Sequence, residues 1–303
     1  MSKGVHRFAL LVAGATFFLI IAGANVTSHD AGLATSDWPL SNGQVFPKMV
    51  GNLFWEHGHR LVATTVGLLT IALAIYLQVR ERRSWVRRLG WIALGGVVAQ
   101  GLLGGLTVKM NLPLAVSAAH ATLAQLFFLT TVALAVFTSR GWRQPAAALT
   151  EKGTDSVRRL CLIACLAILV QLVLGAVLRH SATWDQYLPA GLLQTHIAGA
   201  VTVALVLGSA VIVTLRKYST EQYLARPAMA AGLLLVLQLA LGVVTYLARM
   251  ASPKDPQPLN PMISLTVAHV ACGALVFAAT IVLTLRAYRV LRIDRQAYIL
   301  APA

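Results

Sequence analysis

Apolar residues in this chain come in long unbroken runs, without the alternation of a half-buried strand or the one-faced stripe of a soluble helix. Eight runs stand out, at 8–27, 52–79, 89–108, 113–138, 160–178, 191–215, 228–248 and 263–285. About 20 helical residues cross a ~30 Å hydrocarbon core. In lipid only a helix satisfies its own backbone groups without closing a barrel. The pattern predicts an all-α membrane protein with eight transmembrane helices.

The runs also repeat. The second and sixth carry His59 and His196; the fourth and eighth carry His120 and His269. A Gln followed four residues later by Gly recurs in the third (Gln100, Gly104), fifth (Gln171, Gly175) and seventh (Gln238, Gly242), while the first has Gly23 without the Gln. Two like-oriented, pseudo-symmetric four-helix bundles are expected: an N-terminal half over 1–138 and a C-terminal half over 160–303. The linker 139–159 carries Gly141, Pro145 and Gly153. Because both halves run the same way, the inverted repeat of many transporters does not apply.

Composition agrees. The 303 residues are 57% hydrophobic and 12% charged, against about 25% charged in ordinary soluble domains, and mean hydropathy is +0.72. Disorder, a collagen-like fibre and a disulfide-stapled module are excluded, a soluble enzyme fits poorly, and three cysteines are too few for a disulfide framework. Cys161, Cys165 and Cys272 read as small apolar packers.

A formal net charge of +15 raises the question of nucleic acid, and the placement of the charges answers it. Of 25 basic residues, 19 lie in the N-terminus, the C-terminal tail and the loops on that same side; five (Lys48, Lys109, Arg179, Arg249 and Lys254) lie opposite, and Arg60 is inside a span. This bias places both termini in the cytoplasm, with the basic loops against anionic membrane lipid and no nucleic-acid partner. The first run has a short basic flank and no small-residue cleavage site, so it reads as a retained anchor. A bacterial cytoplasmic membrane is the simplest location. Trp38, Trp55, Trp184 and Tyr187 fit an interfacial aromatic belt.

His59, His120, His196 and His269 lie at a common depth, roughly 10 Å below the outer surface at 1.5 Å per residue. A lone membrane histidine has bland explanations, such as an interhelical hydrogen bond. Two symmetric pairs point further, because facing imidazoles can take both axial positions of a haem iron in the apolar slot of a four-helix bundle. Zinc would need three or four ligands where each pair offers two. The sites are expected toward the outer face.

The segment Glu56-His57-Gly58-His59-Arg60 adds a carboxylate. Glu56 and His59 share a helical face, whereas His57 points elsewhere, and Glu56 is the one acidic residue expected within a span. It suits proton transfer or electrostatics at a reactive centre; the plainer alternative is an ion pair with Arg60 at the i, i+4 spacing. Leu193 stands three residues before His196, so the halves differ. The first half is expected to bind the group being transformed and the second a permanent redox group. Arg60, Lys109, Arg179 and Arg249 are candidate partners of haem propionates, although such residues also snorkel.

These residues resemble the haem A synthase family along essentially the whole chain. The carrying pieces are Glu56-x-x-His59-Arg60, Ala118-Ala119-His120-Ala121-Thr122, Gln194-Thr195-His196, Ala268-His269-Val270, and the loop pieces Ala31-Gly32-Leu33 and Asp37-Trp38-Pro39. The resemblance implies oxidation of the C8 methyl of haem O to a formyl group, giving haem A for terminal oxidases. It implies His59 and His120 as ligands of the substrate haem, His196 and His269 as ligands of haem b, and Glu56 as the catalytic acid. It also implies delivery of haem O by a haem O synthase, a role in cytochrome oxidase assembly and an electron donor of unknown kind; a homo-oligomer is left open. The alternatives are a dihaem b-type cytochrome oxidising quinol and a non-enzymatic haem carrier. One departure is visible: a cysteine pair common in the family falls on Thr35 and Ser41. Thr27-Ser28-His29-Asp30 also replaces a more usual Arg-containing stretch.

Overall fold

The computed structural model describes residues 3–144, 149, 154–181, 189–251 and 260–291. Trp184, Tyr187, Lys254 and the linker residues 145–148 and 150–153 lie outside them. The helices are α1 (Lys3–Ser28), α2 (Asn52–Arg80), α3 (Ser84–Lys109), α4 (Leu114–Thr138), a single turn α5 (Arg140–Arg143), α6 (Thr154–Ser181), α7 (Ala190–Tyr218), α8 (Gln222–Ala251) and α9 (Asn260–Val290). Among the described residues eight helices are long and apolar enough to cross a membrane, and no strand forms beyond isolated bridges. The protein is an all-α, multi-span membrane protein.

Each expected run coincides with one long helix, the fourth beginning one residue late because Pro113 is the N-cap of α4, and most helices extend past their runs because polar end residues stay helical. Arg286 and Arg289 continue α9 by stacking their guanidinium groups over Tyr223 and Trp142, at 4.6 and 4.7 Å. His180, expected in a loop, sits in the last turn of α6. Buried threonines such as Thr16, Thr70, Thr214 and Thr280 donate to the carbonyl one turn back, which satisfies their hydroxyls inside an apolar helix.

Helices α1 to α4 contact one another in a closed ring, as do α6 to α9; α1 and α4 of the first ring meet α6 and α9 of the second. Three apolar clusters fill the end that carries Val5 and Leu291 and the seam between the rings. One includes Val5, Leu77 and Leu134, another Cys161, Leu224 and Leu283, and the central one Phe128, Leu207 and Phe277. Toward the opposite end the second ring is hollow. Residues 169–181, 190–202 and 236–251 include no buried position, although their helices remain neighbours. Every histidine pair lies toward that end.

Candidate functional site: two imidazole pairs beneath one loop

The four histidines occupy equivalent corners. Each ring meets the backbone of a glycine on the preceding long helix. A Cβ built on Gly23 would stand 3.1 Å from His59 Cε1, on Gly104 3.1 Å from His120 Cε1, on Gly175 3.0 Å from His196 Cε1, and on Gly242 3.2 Å from His269 Cε1. Glycine is the residue that admits a ring so close to a helix axis. His59 and His120 are electrostatic neighbours, as are His196 and His269. Nδ1 of His59, His120 and His269 is buried without a hydrogen-bond partner.

Among the described residues no three His, Cys, Asp or Glu side chains converge on a metal position. Two imidazoles and glycine-lined corners in each ring, joined in the second by a stretch without buried positions, suit a haem, whose porphyrin brings four nitrogens and leaves two positions for protein ligands. The residues present fit that group in both rings.

The first ring has a cover, the loop over residues 29–51. Trp38 lies against α3, where a Cβ on Gly105 would come within 2.7 Å of its Cδ2. Glu56 is buried, accepts the Thr35 N–H at 3.0 Å and is ion-paired with Arg60. The Arg60 guanidinium also donates to the Asp37 carbonyl at 3.0 Å and to Ser41 Oγ at 3.1 Å. Ser41 Oγ in turn lies 2.8 Å from His57 Nδ1. His57 does point away from His59, as helical geometry requires, and it is buried against the loop. Thr35 and Ser41 are both buried and tie the loop by hydrogen bonds.

Asp37 closes the tip of this loop. Its carboxylate accepts from the Thr35 hydroxyl and from the N–H groups of Asn42 at 2.9 Å and Gly43 at 2.7 Å. The Thr35 hydroxyl first, then the two amides, hold its carboxyl well below the usual carboxylate range. Asp30 moves the other way: burial raises it, and Arg179 partly opposes the rise.

Lys109 donates to the Ser36 carbonyl at 3.3 Å, so Arg60 and Lys109 both engage the loop. Arg179 donates to Ser28 Oγ at 3.3 Å, linking α6 to α1. Arg249 has the sulfur of Met262 at 4.0 Å and a buried Nε without a partner. Cys161, Cys165 and Cys272 are buried free thiols.

Sequence reasoning missed the role of three glutamines. Gln100, Gln171 and Gln238 aim their amides at His120, His196 and His269. The signal was the recurring Gln-x-x-x-Gly, read as a mark of duplication alone. A separate cleft of about 500 Å³ between the rings is lined by Asn25, His29, Trp55, Asn260 and Ile263 among others. His29 stacks on Trp55 there, with ring centroids 3.9 Å apart. Val267 and Ala271 face this cleft, and His269 leaves α9 roughly opposite them, toward its own ring.

The fold and the paired imidazoles define a multi-span membrane protein with one imidazole pair inside each four-helix ring. Residues 48–191 match the COX15-CtaA family of cytochrome oxidase assembly proteins. Haem A synthase of Bacillus licheniformis is 24% identical over 271 residues, covering 82% of this chain and 88% of the relative. Haem A synthase of Symbiobacterium thermophilum is 28% identical, covering 80% and 85%, and that of Shouchella clausii is 27% identical, covering 83% and 90%. The chain is thus similar to haem A synthases over about four-fifths of its length.

Proposed function

We propose that this chain is a haem A synthase, a bacterial multi-pass membrane oxidoreductase that converts the C8 methyl of haem O to the formyl group of haem A. The observation that carries the reading is the asymmetry of the two rings. Among the described residues only the first has a buried carboxylate, Glu56, one turn from a ring histidine and beneath a loop. His59 and His120 hold the substrate haem, and His196 and His269 hold haem b.

The bound haems supply the redox chemistry. The protein's own residues bind, orient and exclude water. The four glycine corners set the imidazoles at the depth of the slots. Glu56, fixed by Arg60 and the Thr35 N–H, presents a carboxylate at the substrate site for proton transfer or for stabilising developing positive charge. The loop with Trp38 covers the site and keeps water from it. Arg179 and Arg249, at the mouth of the second ring, are the cations best placed for propionates there. Arg60 and Lys109 act on the substrate side through the loop they hold.

The remaining parts of the reading are of the same kind. The sites face the outer side of the cytoplasmic membrane, the halves 1–138 and 160–303 divide the work, and a haem O synthase supplies the substrate to serve cytochrome oxidase assembly. Co-expression with a haem O synthase, followed by pigment extraction, tests it. Haem A together with haem b is the expected yield; haem b alone at two per chain would overturn it.

A further inference from the structure

The cleft between the rings belongs to neither imidazole pair, yet it lies beside both. Ile21 and Asn25 line it, and they stand two residues either side of Gly23, whose backbone meets His59. Val267 and Ala271 line it and stand two residues either side of His269. Two residues turn a helix by roughly 200°, so α1 separates the cleft from His59 and α9 separates it from His269, by roughly 10 Å each. The lining is also graded. α1 ends at Ser28 and α9 begins at Asn260, so His29, Asn260 and Ser264 line the end nearest the loop, and Ile21, Val267 and Ala271 the end deeper along the helices. Trp55 makes an aromatic wall with His29 stacked on it. His29 Nδ1 lies 2.9 Å from the Asn25 carbonyl. A carbonyl only accepts, so Nδ1 carries the proton and Nε2 of the neutral ring is a bare acceptor. Among the described residues nothing donates to that Nε2. Asn25 spends an amide N–H on the Ile21 carbonyl at 2.9 Å and keeps its Oδ1 as a second acceptor. No lining side chain carries a fixed charge.

We propose that this cleft binds a lipid-soluble quinol, the electron donor of the synthase reaction. The inference rests on the haem reading above and names the donor which that reading leaves open. A flat aromatic head lies against the Trp55–His29 wall with its O–H groups toward His29 Nε2 and Asn25 Oδ1. The isoprenoid tail follows Ile21, Val267 and Ala271. A cleft of about 500 Å³ is within the ~300–1,000 Å³ of small-molecule sites. A phospholipid would bring its phosphate to a lining that has no cation to meet it, whereas a quinol is neutral. In the reaction both O–H bonds of the quinol break. One proton goes to His29 Nε2 and the other to solvent at the loop end. The two electrons pass singly to ferric haem iron in the second ring, which becomes ferrous each time, and a quinone is left.

The full-length, haem-loaded protein tests this without oxygen, with decylubiquinol and decylubiquinone as probes. Two quantities are read: decylubiquinone retained per chain, and the rate at which decylubiquinol reduces the haem, followed by absorbance. The parent is expected to retain the quinone and to be reduced. His29→Phe keeps a ring on Trp55 and removes the acceptor. It should slow reduction about a hundredfold, the low end of what a positioned proton acceptor contributes, at unchanged haem content. Ala271→Trp fills the deep end and should abolish retention. An unchanged rate in His29→Phe overturns the proposal, and so does undiminished retention in Ala271→Trp; if the tryptophan variant fails to accumulate, the first result decides. A parent that retains no quinone but loses a co-purified phospholipid on Ala271→Trp gives the cleft to a lipid and also overturns it. Dithionite separates the proposal from the reading beneath it. A haem that dithionite reduces and decylubiquinol does not leaves the haem reading standing and ends the proposal, whereas a purified protein without haem ends both.

Discussion

Arg60 reaches Glu56 one turn back on α2, and the same guanidinium grips the 29–51 loop through the Asp37 carbonyl and Ser41 Oγ. One cation therefore sets both the carboxylate and the cover of the first ring. Removing one partner of a buried pair costs about 3–5 kcal/mol, because the other charge is left uncompensated. Arg60→Met should lower the thermal midpoint followed by circular dichroism and expose the loop to protease. Glu56→Gln should also lower the midpoint, since its one amide oxygen can replace only one of the two oxygens that accept from Thr35 and Arg60, and haem A formation is lost.

The glycine corners give a prediction whose sign separates packing from propensity. Alanine favours a helix over glycine by about 1 kcal/mol, so Gly175→Ala would stabilise α6 if nothing lay beside it. Its new Cβ would instead stand 3.0 Å from His196 Cε1, and the ring must give way. Gly175→Ala and Gly242→Ala should retain full helicity and lose haem b, read as pyridine haemochrome per chain. Gly14→Ala, with open space around it, should keep its haem.

Run length alone made the eight helices legible, since apolar stretches of that length have no other stable form in lipid. The four histidines were legible as a set because they recur at one depth. What the sequence withheld were relations between distant segments. Whether Glu56 is a catalytic group or an ion-pair partner of Arg60 cannot be decided from spacing; the structure shows the pair and, in addition, the Thr35 N–H on the other oxygen. Arg60 and Lys109 read only as candidate propionate partners or, for Arg60, a partner of Glu56, because nothing in the sequence shows that residues 29–51 fold back onto them. The glutamines went unread because a polar residue in an apolar helix does not announce which neighbouring helix it faces.

The Asp37 turn predicts a direction with pH. A carboxyl held below its ordinary value contributes stability that is fully present above the unfolded value, near 3.8, and is lost as pH falls through the lower folded value. The loop should therefore stay protected from hydrogen exchange at neutral pH and down to about pH 4, and open only in stronger acid. Asp37→Asn should open residues 35–43 already at neutral pH. Equal protection of parent and variant at neutral pH would show that the carboxylate does not hold the turn.

The central claim is that the two imidazole pairs hold two different haems. Pigment analysis of two double variants, co-expressed with a haem O synthase, tests it most directly. His59→Ala with His120→Ala should keep haem b and lose haem O and haem A. His196→Ala with His269→Ala should lose haem b. Loss of the same haem from both variants, or of none from either, would contradict the account.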